Sequence, residues 1–170
     1  MPVISVPTVQ ADTPVSAPGN PHGKDAVTFR GQPYLCPTIV GSNIGSPRFC
    51  GLEITGEFNG ELYVDRIDIW AQDSMTLRLA NLFGGAVSAD AVALQPLNGL
   101  NSSGPAWGKN GIVTGDVSYQ YYAWLPIEQG IYRTIELPYP ALVTTTAKFG
   151  VVNSAAPNSF AANFYVRVVT

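Results

Sequence analysis

Charge is what this chain has least of. Lys and Arg together number 9 and Asp and Glu 12, so charged side chains make up 12% of the 170 residues, against about 25% in ordinary soluble domains. Solvation must come from Ser, Thr, Asn, Gln and the backbone, which suits a subunit crowded by neighbours better than a free enzyme. The net charge is -3 at pH 7 and the basic residues are scattered. Phosphate backbones need clustered Lys and Arg, so no direct nucleic-acid partner is expected. Histidine is almost missing too. His22, the single one, lies between Pro21 and Gly23, and a Ser-His-Asp or Cys-His set would have to build its rigid base there. A solvated or interface histidine is the expectation.

Long apolar runs are absent: nothing approaches the ~18 residues of a membrane span, so no membrane partner is expected. The start shows no basic region followed by an apolar stretch, so export through the general secretory route is not expected either. Cysteine is scarce, with only Cys36 and Cys50. Two thiols without a nearby His make no standard zinc site. In an unexported chain they are expected to be buried and reduced, although the segment between them leaves a pairing across a hairpin open.

Proline and glycine, by contrast, are plentiful. Residues 1–24 hold five prolines, one carboxylate at Asp12, and the apolar alternation Val3-Ile4-Ser5-Val6-Pro7-Thr8-Val9. Proline blocks helix and central-strand pairing, and so little apolar surface cannot offset the ordering entropy of a separate core. Residues 1–28 therefore read as an extended arm and residues 29–170 as one domain, long enough to bury an adequate core. Val3, Ile4, Val6 and Val9 are the candidates for filling apolar pockets on a neighbouring chain, with backbone pairing to a sheet edge as the accompanying mode.

From Phe29 onward the pattern is strand after strand. Leu52-Glu53-Ile54-Thr55-Gly56-Glu57-Phe58 alternates, and Asn59-Gly60 supplies a favoured two-residue hairpin turn. Residues 61–71 read as one long strand. Leu62 and Val64 share a face while Ile67 and Ile69 fall on the other, which predicts a bulge around Asp65-Arg66. Met75, Leu77 and Leu79 alternate in the next strand, closed by Phe83-Gly84-Gly85. Residues 87–94 are the one expected helix, and Leu94, Leu97, Leu100 and Trp107 the inward anchors of a glycine-rich region. Strands follow over 117–125, 131–137, 144–152 and 160–169, with Pro138 and Pro140 marking edges. About eight short strands at 8–12-residue spacing indicate an all-β antiparallel β-sandwich, jelly-roll-like. An immunoglobulin arrangement is disfavoured because Trp70, Trp107 and Trp124 all follow Cys50. Ile67, Ile69, Leu77, Leu79, Ile135, Leu137, Phe164 and Val166 are the expected core.

Carboxylate pairs can hydrolyse glycosidic bonds without histidine, and Glu53, Glu57, Glu61, Asp65 and Asp68 lie close in sequence. Glu53 and Glu57, four apart on a strand, would share a face. A polar outer face accounts for them, and no calcium-loop pattern accompanies them. The glycine stretches 41–46 and 83–85 lack the Lys-Ser or Lys-Thr of a phosphate loop. No catalytic residue, cofactor or metal is assigned. The aromatic cluster offers more. Tyr122 and Trp124 should share a face opposite Tyr119 and Tyr121, so that one pair is core and the other exposed or at an interface. Tyr122, Trp124 and Tyr132 are the candidate exposed aromatic face, serving subunit contact or stacking on sugar rings.

The start Met1-Pro2-Val3-Ile4-Ser5-Val6-Pro7, the low-charge strand Leu62-Tyr63-Val64-Asp65-Arg66-Ile67-Asp68-Ile69-Trp70 and the terminal Phe164-Tyr165-Val166-Arg167-Val168-Val169 carry a resemblance. In these features the chain resembles the small jelly-roll structural proteins of virus particles, particularly decoration or accessory subunits of tailed bacteriophages. The resemblance implies a non-enzymatic virion subunit, homo-oligomeric and in contact with major capsid or tail proteins. It carries no functional residues across. A carbohydrate-binding module, free or serving adsorption on a virion, is the alternative.

Overall fold

The computed structural model describes residues 31–40, 47–88, 91–97, 103–153 and 159–170. The expected arm, with Val3, Ile4, Val6, Val9 and His22, lies outside them. The described residues contain ten strands and no helix: β1 (Gln32–Val40), β2 (Arg48–Leu52), β3 (Glu61–Ala71), β4 (Met75–Ser88), β5 (Ala91–Val92), β6 (Gln95–Pro96), β7 (Gly108–Ile127), β8 (Tyr132–Val143), β9 (Ala147–Asn153) and β10 (Phe160–Val169). They form two antiparallel sheets, β6-β1-β10-β3-β8 and β2-β9-β4-β7-β5. Long-range pairing is nested. β1 pairs with β10, β2 with β9, β3 with β8 and β4 with β7. The chain is thus one long antiparallel ribbon rolled over, the jelly-roll winding of a β-sandwich.

Alternation along each strand builds the core between the sheets. Leu62, Val64, Ile67 and Ile69 of β3 and Phe160, Phe164 and Val166 of β10 meet Leu77 and Leu79 of β4 and Phe149 and Val151 of β9, all buried. The phase slip in β3 is a real bulge, between Val64 and Arg66 opposite β8, and it is why both Val64 and Ile67 reach the same core.

The second sheet does something an open sandwich does not. β2 pairs with β7 as well as with β9, so β2, β9, β4 and β7 close into a ring. A smaller apolar cluster of Phe49, Ala80, Leu82, Val87, Val113 and Val152 is contributed wholly by those four strands. Antiparallel sheets commonly leave one face wet; here curling keeps part of that face dry. Close approach of β2 to β9 requires glycine. Gly51 and Gly150 lie opposite each other, and a Cβ on Gly150 would collide with the Cys50 carbonyl and sit 2.6 Å from the Gly51 Cα.

Two expected elements are corrected. β2 ends at Leu52 and residues 53–60 form no hairpin arm, because β2 and β3 belong to different sheets and this segment crosses between them. Its alternation still serves burial: Ile54 is in the core, and Phe58 packs edge-on against Trp107 at 4.7 Å. Among the described residues of 87–94 there is no helix. β4 runs past Phe83 to Ser88 through a register shift at Gly84/Ala86, drawing Val87 into the smaller cluster, so tertiary packing overrides local propensity. Gly84 and Gly85 take φ of 71° and 58° there, values that favour glycine. Leu94 and Trp107 are buried as expected, whereas Leu97 is 49% exposed and Leu100 lies outside the described residues. Ile135 and Leu137 are only partly buried, because β8 is a sheet edge.

Candidate functional site

The site-bearing strand is β7, and a bulge decides which side chains it presents. Its ladder with β4 pairs Leu79 with Ala123 and Ala80 with Tyr121, leaving Tyr122 out of register. Trp124 therefore joins Tyr119 and Tyr121 on the outer face, while Tyr122 turns to the opposite side. This corrects the expected faces, and neither pair is core. The Tyr119 and Tyr121 rings lie parallel within 3° at 5.5 Å, and Trp124 follows at 6.2 Å from Tyr121. Arg78, opposite Trp124 on β4, holds its guanidinium 4.4 Å from the Trp124 ring centre and 5.1 Å from that of Tyr121. One N–H donates to the Tyr121 hydroxyl at 3.3 Å. Trp124 remains 61% exposed.

Tyr122 lines a different feature, an apolar cleft of about 500 Å³ at the open side of the sandwich. Leu79, Tyr122 and Phe149 form one wall and Ile135, Leu137 and Leu142 of β8 the other. The cleft follows from the ladder of β8 on β3: Val64 pairs with Ala141 and Arg66 with Glu136, so residues 137–140 oppose Asp65 alone. Pro138 and Pro140 have no N–H to give a ladder, which suits this outward excursion of an edge strand. Tyr139 at its crest is 79% exposed. Asn81 donates from its amide to the Tyr122 hydroxyl and orients that ring. Tyr132 is 71% exposed but belongs to a third place, a hollow of about 410 Å³ with Pro126, Ile131 and Arg133. Tyr122, Trp124 and Tyr132 are therefore not one face.

The carboxylates face cations and hydroxyls rather than one another. Glu53 lies 3.3 Å from the Lys148 ammonium and 3.9 Å from that of Lys109. Lys148 also donates to the Gly84 and Gly85 carbonyls at 3.1 and 3.2 Å, tying the bent end of β4 to β9. Asp65, at the bulge, accepts two hydrogen bonds from the buried Arg167 at 2.7 and 2.9 Å, and the Tyr63 ring centre lies 5.2 Å from that guanidinium. Asp68 pairs with Arg66 at 3.3 Å and accepts from Thr134 at 2.8 Å, and Glu61 accepts from Tyr63 at 2.8 Å. Glu57 is exposed and lies outside any strand, so it shares no strand face with Glu53. Among the described residues no three His, Cys, Asp or Glu side chains gather to hold a metal.

Cys36 and Cys50 are free and fully buried. Burial pushes both thiols up to about 12, and for Cys50 a smaller opposing effect comes from its hydrogen bond with Thr38. The cleft and the place of Arg78 were invisible in the sequence, since both depend on bulges that shift side chains between faces. Comparison with family models, with curated proteins and with solved structures finds no match.

Proposed function

We propose that this chain is a non-enzymatic structural subunit of a virus particle, a decoration or accessory protein that holds neighbouring subunits through its arm and its sandwich edge. The observation that carries this reading is the apolar cleft along β8, with Tyr122, Tyr139 and Leu142 exposed around it. Apolar surface gathered in one place on a low-charge chain marks an interaction site. Its occupant, on this reading, is the segment Val3 to Val9 of a second copy, with Val3, Ile4, Val6 and Val9 entering the cleft. Thirty residues precede Gly31, and at ~3.3 Å per extended residue they span up to about 100 Å, ample to reach a neighbour. The segment is uncharged and the cleft is lined by a single charged residue, Glu136, so the two are matched in polarity. The jelly-roll winding suits the reading, since viral coat proteins use it; lectins use it also.

Removing residues 1–24 tests the proposal. The truncated sandwich should keep its thermal transition yet no longer co-purify with particles, in which the intact chain should appear in stoichiometric amount. Undiminished incorporation would contradict it. Glycan binding is the second reading, favoured by the exposed aromatic row on β7, and it is compatible with a place on a particle.

A further inference from the structure

The row on β7 differs from an ordinary aromatic patch because a cation from the neighbouring β4, Arg78, lies against it with no carboxylate partner among the described residues. Arg66 and Arg167 on the other sheet both hold carboxylates. Arg78 is half-buried, yet among the described residues no carboxylate pairs with it; its recorded partners are the Tyr121 and Trp124 rings and the Tyr121 hydroxyl. A guanidinium has five N–H donors in a fixed fork. The two rings hold that fork in place and only one donor is used, the N–H given to the Tyr121 hydroxyl, so most of the donors stay available to a ligand. Arg78 lies against Trp124, and with the indole still 61% exposed aromatic surface remains open beside the guanidinium. Thr76, two residues back on the same face of β4, adds an exposed hydroxyl.

A ligand complementary to this arrangement needs a flat face of C–H groups for the indole and a carboxylate for the fork. Sugar acids have both, because a pyranose presents such a face and a carboxylate accepts the paired N–H bonds of an arginine. We infer that Arg78, Tyr121 and Trp124 form a binding site for a carboxylate-bearing glycan. The inference rests on the glycan reading above and is independent of the arm. It separates this face from the β8 cleft, which lacks a cation and takes an apolar peptide segment.

Calorimetric titration of the full chain tests it, with trigalacturonate and 3′-sialyllactose as the acidic probes. Cellotriose and lactose serve as neutral probes and triglutamate as an acidic peptide. At least one acidic saccharide should bind ten-fold or more tighter than its neutral counterpart, and the two acidic probes show which sugar acid is preferred. Arg78→Gln should erase that difference, and Trp124→Ala should abolish saccharide binding altogether. Both side chains lie on the outer face, so the thermal midpoints of the variants should stay near that of the parent. Equal affinity for acidic and neutral sugars, or discrimination retained in Arg78→Gln, would overturn the inference while leaving glycan binding intact. Absence of any saccharide binding at millimolar concentration would overturn both, and triglutamate binding as tightly as the sugar acids would reassign the site to peptide.

Discussion

At the scale of single residues, the buried Lys148 shows how a polar group is held when its donors are answered. Lys148, 8% exposed, directs its ammonium to Glu53 and to the carbonyls of Gly84 and Gly85, one partner for each of its three N–H bonds. Lys148→Met leaves two carbonyls without that donor, while Glu53 keeps Lys109 and some water. The expected loss is about 1–3 kcal/mol in denaturant unfolding, and an unchanged midpoint would show that the contact is idle. The buried thiols make a different prediction. The folded state holds Cys36 and Cys50 protonated up to about 12, whereas an unfolded thiol ionises near 8.5. Their contribution is therefore complete below the unfolded value and declines as pH rises toward 12. A Cys36→Ala/Cys50→Ala double variant should show a flatter stability curve above pH 9 than the parent. Parallel curves would mean the thiols ionise normally.

At the scale of elements, the legible strands were those whose alternation runs long against one core. β3 and β10 could be read with their observed bounds for that reason, and the β3 bulge showed as a change of phase. Ile69→Ala, at a site with no exposure, should cost about 2–5 kcal/mol through lost burial and a cavity, and Ile135→Ala on the half-open β8 clearly less. Equal losses in thermal scans would mean that β8 is sealed. Residues 52–58 and 87–94 misled because a crossover and a curled strand end bury alternate or clustered apolar residues just as a hairpin or a helix does. Trp124 misled because one extra residue at Tyr122 reverses every later side chain. Gly150 could not be read as a contact residue until its partner Gly51 was placed beside it. Gly150→Ala should destabilise by about 1–3 kcal/mol or more through overpacking, and a neutral outcome would mean that β2 and β9 can part.

At the scale of the molecule, the nested pairing joins residues as distant as Gln32 and Val168, and no local pattern encodes such order. What the pattern did encode was the class: many half-buried strands, low charge and, among the described residues, no helix. Closing β2, β9, β4 and β7 into a ring leaves the two-residue β5 as the edge of the second sheet among the described residues, whereas the long β8 of the first sheet, with its excursion at residues 137–140, stands as an open wall. Assembly through that wall is the central claim. The most direct test mixes a Val6→Cys chain with a Leu142→Cys chain under mild oxidation, the native thiols being buried. The account predicts disulfide-linked dimers in the mixture well beyond those of either variant alone. A mixture that cross-links no more than its separate components would contradict it.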